Sequence, residues 1–370
     1  MKAGIYLGKE QIELRELPIP EVGDEDVLVE NIYSSICGTD VSVYFHGPGT
    51  GHKVTVGGEF GHETVSRIVK VGKNVTEYAY NTTRALPAYT ESGDYWYYAR
   101  IGGEVTSYYQ LFNILNEVEN STQDIDSHGM TFTGTLGYRI IELWKFAMTL
   151  FYSLDDTQQD NWHGGRRGMI PDGKNKYISG QNAVIFGSGT IGIAAAVAFQ
   201  YFGMKKVMVC DYSDFRLNLA KELGVAICNP QKEDFAVKSK EYFGTAPSLN
   251  GQTANIDCWL DAAGAENILD DFMQLGKIES RFVSVAVNNK PRNIDLLYMT
   301  YAQQSIIGSG GYMPEDVRDV QNIMTCGKWN LENIITHEFP LPELAQAIRT
   351  AGDVVRAGNV VIRMADAKEY

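Results

Sequence analysis

The chain has 370 residues, 44% hydrophobic and 21% charged, and its 32 basic against 46 acidic residues leave a formal net charge of −14. A chain of this length and balance can bury a large core, most simply as two domains, and extended disorder, collagen and coiled coil are excluded. With no Lys/Arg-rich run there is no groove for nucleic acid, and an anionic membrane is as poor a partner. In chain order, the N-terminus has no long apolar core and reaches Lys9 and Glu10 at once, so no secretory signal is expected. Residues 1–75 read as short strands and turns. Alternation over 27–31, continuing to Tyr33, and the Val/Ile content of 63–71 predict two strands, with Pro18, Pro20, Gly23, Gly38, Gly57, Gly58 and Gly72 as punctuation.

Residues 80–178 give few elements. They hold the aromatic run Tyr95, Trp96, Tyr97 and Tyr98, acidic clusters, and a Gly/Lys/Asn-rich stretch over 171–176. The greasy stretch 138–154 carries Arg139, Glu142 and Lys145 and is too short and too charged to span a bilayer. From residue 181 the pattern changes. Strands are expected over 182–186, 206–210, 256–260 and 282–287. Helices are expected over 191–202, 214–223 (capped by Ser213 or Asp214 and stopped by Gly224) and 265–275. Strand alternating with helix predicts an α/β fold on a parallel sheet. Helices over 315–326 and 341–351 and a strand over 359–364 close the chain.

The five cysteines, Cys37, Cys210, Cys228, Cys258 and Cys326, are odd in number, widely spaced and without a Cys-x-x-Cys pair. They are no disulfide framework, and a reducing, cytoplasmic setting is expected, in which the sequons at Asn74, Asn81 and Asn120 carry no meaning. Cys210 and Cys258 read as core thiols.

The strand ending at Phe186 runs into Gly187-Ser188-Gly189-Thr190-Ile191-Gly192 and then a helix. In that context Gly187 makes the tight turn, Gly189 admits a pyrophosphate to the backbone, and Gly192 lets helix and strand pack. Asp211 ends the next strand 24 residues after Gly187. A carboxylate there accepts from the ribose hydroxyls of adenosine and repels a 2′-phosphate, which predicts NAD over NADP. Arg216, with Tyr212 and Ser213, stands beside it as a group whose influence would oppose that of the acid.

A second constellation lies upstream. Cys37-Gly38-Thr39-Asp40 is followed, 25 residues after Cys37, by His62 and Glu63. Thiolate, imidazole and carboxylate are zinc ligands. A buried cysteine and a satisfied histidine would explain the same residues, and only the nucleotide motif downstream favours the metal.

Together these motifs resemble the zinc-dependent medium-chain dehydrogenases, nearest to the sorbitol, threonine and butanediol dehydrogenase branch. Cys-Gly-Thr-Asp, Gly-His-Glu, Gly-Ser-Gly-Thr-Ile-Gly, Asp211 and the run Gly308-Ser309-Gly310-Gly311 stand in that family's order, over about 1–79 and 180–370. The resemblance implies a GroES-like β-rich catalytic domain (1–179 and 320–370) and a Rossmann domain (180–319). It implies a catalytic zinc at the metal positions Cys37, His62 and Glu63, with Glu63 either on the zinc or holding a zinc-bound water, Asp40 orienting His62 and Thr39 relaying the alcohol's proton. It also implies that Asp261 to Gly264 and the strand through Val285 flank the nicotinamide. The implied activity is NAD-dependent oxidation of a secondary alcohol or small polyol by a homodimer or homotetramer. The chain departs from relatives in the middle. The four-cysteine lobe of a structural zinc is absent, so none is expected. Before the basic pair Arg166 and Arg167, the counterpart of a zinc-proximal Glu falls on Asp156, beside Asp155, and Ser42 replaces a histidine of the outer relay. The rival readings are a zinc-free NAD(P)H reductase of the same superfamily and an inactive NAD-binding relic. Of the remaining histidines, His46 and His52 lie near the metal motif, while His128, His163 and His337 carry no assignment.

Overall fold

The computed structural model describes residues 1–24, 26–48, 54–61, 63–74, 96–99, 180–286, 290–309 and 314–364. Two compact units divide the chain. The first begins at Met1 and takes in Ile335–Asp353 and Ala357–Tyr370; the second ends at Ile334 and takes in Val354–Arg356.

In the first unit β1 (Lys2–Gly8) and β2 (Gln11–Glu16) form an antiparallel hairpin. β3 (Val27–Ser35) pairs antiparallel with β4 (Thr64–Val71), and β4 with β5 (Trp96–Ala99). Between β3 and β4 the chain forms α1 (Gly38–His46), a helix where strands and turns were expected. Its Thr39, Val41 and Val43 are β-branched and Gly38 is a poor helix former, so propensity gives no warning. The helix is secured at its ends. Asp40 Oδ2 accepts the Cys37 N–H at 3.0 Å, and the Gly47 N–H donates to the Val43 carbonyl at the other end. Tyr44 then anchors α1 in the core of this unit.

The second unit is built on one parallel sheet. In chain order it contains β6 (Asn182–Phe186), α2 (Thr190–Tyr201), β7 (Lys206–Cys210), α3 (Asp214–Glu222), β8 (Ala226–Cys228), α4 (Phe235–Phe243), the hairpin β9 (Thr245–Ser248) and β10 (Gly251–Ala254), β11 (Cys258–Asp261), α5 (Glu266–Leu275), β12 (Arg281–Ser284), α6 (Leu296–Ala302), β13 (Ser305–Gly308) and α7 (Pro314–Thr325). Strand order is β13-β12-β11-β6-β7-β8. The first strand, β6, therefore lies mid-sheet, with β7 on one side and β11 on the other. A parallel sheet that reverses direction there opens a crevice at its carboxyl ends. Every residue of β6 is buried, as a strand covered on both faces requires. α2 is buried from Gly192 through Phe199, and its alanines keep it close to the sheet.

β11 begins two residues later than the run 256–260 predicts, because the Ile256 N–H turns back to the Ala254 carbonyl. β12 stops at Ser284 rather than continuing to 287. The N–H groups of Val285 and Ala286 both donate to the Asp261 carbonyl, at 3.1 and 3.0 Å, and lift the chain out of the ladder.

After a short 3-10 turn (Leu331–Ile334) the chain returns to the first unit as β14 (Ile335–Pro340), α8 (Leu344–Gly352) and β15 (Asn359–Arg363). β15 runs parallel to β14 and antiparallel to β3, completing a five-stranded sheet of order β14-β15-β3-β4-β5. Leu344, Ala347 and Ile348 of α8 pack on Tyr44, Val360 and Ile362. Among the described residues no helix is long and apolar enough to cross a membrane.

Candidate active site

The turn after β6 is built from its glycines. Gly187 has φ +101°, a conformation that disfavours a side chain, and its N–H donates to the Cys210 carbonyl at 2.8 Å. A Cβ on Gly192 would lie 1.7 Å from the Gly187 carbonyl oxygen, so helix and turn touch backbone to backbone. Gly189 is different. Its φ is −76°, and a Cβ there would meet only Arg216 Nη1, at an ordinary 3.7 Å. The fold itself would accept a side chain at 189; an approaching ligand would not. Gly189 also caps α2 without a side-chain acceptor, the arrangement in which a helix start receives an anion. These features fit a dinucleotide pyrophosphate.

Asp211 follows β7 at the same edge of the sheet. Its Oδ2 accepts the Ser188 N–H at 2.6 Å and its Oδ1 the Ser213 N–H at 2.8 Å, so one carboxylate ties the glycine turn to the turn before α3. Ser213 Oγ caps α3 by accepting the Arg216 N–H at 3.2 Å, and Ser188 Oγ donates to the Arg216 carbonyl at 2.8 Å. Beside Asp211 opens a hollow whose walls include Phe186, Gly187, Cys210, Tyr212, Phe235 and Ile268. Two acids, Asp211 and Asp271, in the wall of a mostly apolar hollow offer the acceptors that receive a nucleoside. Gly187 to Gly192, Asp211 and Arg216 are thus brought together.

Val285 stands two strands away from β6. Its N–H is fixed to the Asp261 carbonyl, and Asp261 Oδ1 accepts from Ala263 at 3.0 Å and Gly264 at 2.7 Å. Burial pushes the Asp261 carboxyl above its ordinary value, and those two N–H bonds pull the other way. Asp261 therefore shapes the turn 262–264 against which Gly187 packs: a Cβ on Gly187 would come within 3.0 Å of Ala262 and Ala263.

The second constellation sits where β3 passes into α1. Cys37 is 7% exposed and precedes the helix; Thr39 is its second residue and half-buried. Glu63 is 1% exposed. Its carbonyl accepts the Ser35 N–H and the Ser34 hydroxyl, both at 2.9 Å, so the β3–β4 pairing brings the backbone of Glu63 to within two residues of Cys37. A buried thiol just after β3 and a buried carboxyl just before β4 are donor types that suit a divalent zinc-like cation. His62 lies outside the described residues, and among the described residues no three His, Cys, Asp or Glu side chains gather closely enough to hold a metal. Asp155, Asp156, His52, His128, His163, Arg166 and Arg167 also lie outside them. His46 is exposed at the end of α1, and His337 contacts the Thr336 hydroxyl through Nδ1 at 2.8 Å.

Two residues of the cavity wall escape a sequence reading. Phe235 begins α4 far from either motif, and nothing local marks it. Cys210, which sequence places simply in the core, is both core and cavity wall; its position directly before Asp211 is the signal that locates it.

Two family models match the chain, an alcohol dehydrogenase GroES-like domain over residues 23–82 and a zinc-binding dehydrogenase over 189–325. L-Threonine 3-dehydrogenase of Bacillus velezensis is 24% identical over 353 residues, 94% of this chain and 92% of the relative. (R,R)-Butanediol dehydrogenase of Saccharomyces cerevisiae is 23% identical over 360 residues, 90% and 89% of the two. In three dimensions the chain is similar to 2R,3R-butanediol dehydrogenase of Bacillus subtilis, with a TM-score of 0.69 and 18% identity, covering 98% of this chain and 99% of that one. The two matches place a GroES-like part before the part that carries the parallel sheet, and the chain belongs to the zinc-type medium-chain alcohol dehydrogenase family.

Proposed function

We propose that the chain is an NAD-dependent dehydrogenase, with one zinc ion per chain, that interconverts a secondary alcohol or small polyol and its ketone. The observation that carries this reading is Gly189, a position whose lack of a side chain the fold does not require, set beside Asp211 and its cavity. Bound in these sites, zinc would acidify a substrate hydroxyl and NAD would take up the hydride. The chain's own residues do the remaining work. Asp211 accepts from the adenosine ribose, the start of α2 receives the pyrophosphate with Arg216 alongside, and the backbone at Val285 flanks the nicotinamide. Cys37, His62 and Glu63 hold the cation. Thr39 Oγ1 accepts the proton of the substrate hydroxyl while giving up its own.

A single metal is supported by the cysteines. Cys210, Cys228 and Cys258 lie in strands of the parallel sheet and Cys326 is exposed, so no four-thiol cluster forms. All five cysteines are unbridged, which suits a reducing, cytoplasmic setting. Self-association as a dimer or tetramer is supported by α6, where Leu296 (72% exposed), Leu297 (68%) and Tyr301 (68%) lead into the sheet's edge strand β13.

The test is a panel of secondary alcohols and polyols with NAD or NADP as acceptor, run beside elemental analysis. Threonine and butanediol, named in two relatives, each carry a secondary hydroxyl and head the panel. About one zinc per chain is expected, with activity lost on chelation and restored by zinc. Failure to bind NAD or to oxidise any member would overturn the reading, and two tightly held zinc ions would overturn the single-metal part.

A further inference from the structure

Beneath the nucleoside cavity lie two cysteines that the proposed reaction does not use. β7 and β8 are parallel neighbours, and Cys210 stands directly opposite Cys228 in their register. Adjacent strands lie about 4.8 Å apart, and opposed residues of a parallel pair project from the same face. That spacing falls within the Cα separation of roughly 4.4–6.8 Å over which a disulfide closes. Both side chains belong to the same buried cluster. Their environments differ. Burial pushes the Cys210 thiol up, whereas the neighbouring Cys210 side chain, helped by the Lys238 cation, holds Cys228 below the usual thiol value. Of the two, Cys228 is the sulfur that gives up its proton more readily, and thiol oxidation begins from the thiolate.

Access and consequence follow from position. Cys210 is part of the cavity wall, so a small oxidant entering the hollow reaches the pair through it. The carbonyl of Cys210 receives the Gly187 N–H at 2.8 Å, and that of Cys228 receives the Asp211 N–H at 3.1 Å. Any shift of either cysteine's backbone is passed directly to the glycine turn and to the ribose acid.

We propose that Cys210 and Cys228 form a redox-modification site under the adenosine cavity, a dithiol that a peroxide closes to a disulfide and that a bound dinucleotide shields. The shielding part rests on the cofactor reading above; the disulfide part does not. The chemistry balances with hydrogen peroxide as the oxidant. One thiolate attacks a peroxide oxygen, the O–O bond breaks and hydroxide leaves, giving a sulfenic acid. The second sulfur then displaces that oxygen, forming the S–S bond. Overall two thiols lose two electrons and two protons, and one peroxide becomes two waters.

The full chain is treated with hydrogen peroxide, with and without saturating NAD. Free thiols are counted, and peptides are mapped by mass spectrometry without reduction. The expected result is loss of two of the five thiols, a peptide joining Cys210 to Cys228, at least tenfold weaker NAD binding, and full recovery with dithiothreitol. Cys228→Ser should form no such peptide and should keep its own starting NAD affinity after peroxide. Should that variant fold poorly, the map on the unaltered chain decides alone. Five surviving thiols, a different pairing, or separate higher oxidation of the two sulfurs would overturn the site. NAD should slow closure at least tenfold. If NAD binds the reduced chain, measured separately by tryptophan fluorescence, yet does not slow closure, the shielding is wrong. If NAD does not bind at all, the cofactor reading and the shielding fall together, and the peptide map still decides the dithiol.

Discussion

Thr39 and Asp211 are the two residues at which a small chemical change should separate function from folding. Thr39 offers a hydroxyl that accepts one proton while donating another; valine keeps nearly the same shape without that ability. Thr39→Val should retain zinc and NAD yet lower kcat by about 10²–10⁴-fold, the usual worth of a positioned proton-transfer group, while Thr39→Ser stays near wild type. Steady-state kinetics beside a thermal melt checks this, and an unchanged kcat would falsify the relay. If the hydroxyl only braces the start of α1, valine should instead cost about 1–3 kcal/mol of stability and leave turnover of the folded fraction intact. Asp211 is held in place by the Ser188 and Ser213 N–H groups, so its charge is fixed at the rim of the cavity. Asp211→Asn keeps an acceptor for one of those bonds but loses the charge that repels a 2′-phosphate. The NAD-to-NADP ratio of kcat/KM should fall about tenfold or more, equivalent to about 1.4 kcal/mol. An unchanged ratio would assign cofactor choice to Arg216, Tyr212 or Ser213.

At the scale of elements, the β6–turn–α2 unit contains two glycines with opposite tasks. Gly192→Ala drives a methyl into the Gly187 carbonyl and should lower the melting temperature, by an overpacking cost of about 1–3 kcal/mol or more. Gly189→Ala meets no such obstacle and should melt near wild type, yet bind NAD far more weakly by titration. Equal losses of stability in the two variants would mean that the turn is structural at both positions. The spacing of those glycines and the acid after β7 made this unit legible in the sequence, because period, cap and breaker signals agreed: Ser213 does cap α3, and Gly224 follows it at φ +83°. α1 was not legible, since its stability comes from the Asp40 bond to Cys37 and the burial of Tyr44 rather than from propensity. The ends of β11 and β12 were displaced for a similar reason. Backbone bonds to Ala254 and Asp261 outcompete the apolar runs that predicted longer or earlier strands. The hairpin of β9 and β10 is four residues a side and has no sustained alternation to detect.

For the molecule as a whole, a net charge of −14 favours solubility, and α6 sets an exposed apolar face against it. If a second copy covers that face, Leu297→Glu should shift the protein to monomers in sedimentation velocity without loss of secondary structure; an unchanged sedimentation coefficient would place the subunit contact elsewhere. The sheet of the first unit has a different consequence, one of timing. Ser35 and Asn359 are joined side chain to side chain at 3.2 Å across 324 residues, and the Ile36 N–H donates to the Val360 carbonyl at 3.0 Å. The strand that leads into Cys37 is synthesised long before its neighbour β15, with the parallel sheet of the second unit between them in the chain. Chains are made from the N-terminus and domains fold as units, so the parallel sheet of the second unit can assemble while β3 still lacks a partner on that side. Nascent chains arrested before Asn359 should therefore bind NAD while leaving the Cys37 thiol open to alkylation, and completed chains should protect it. On the proposed reading, a newborn chain would acquire its nucleotide before its metal, the corner around Cys37 being covered only once β15 has emerged.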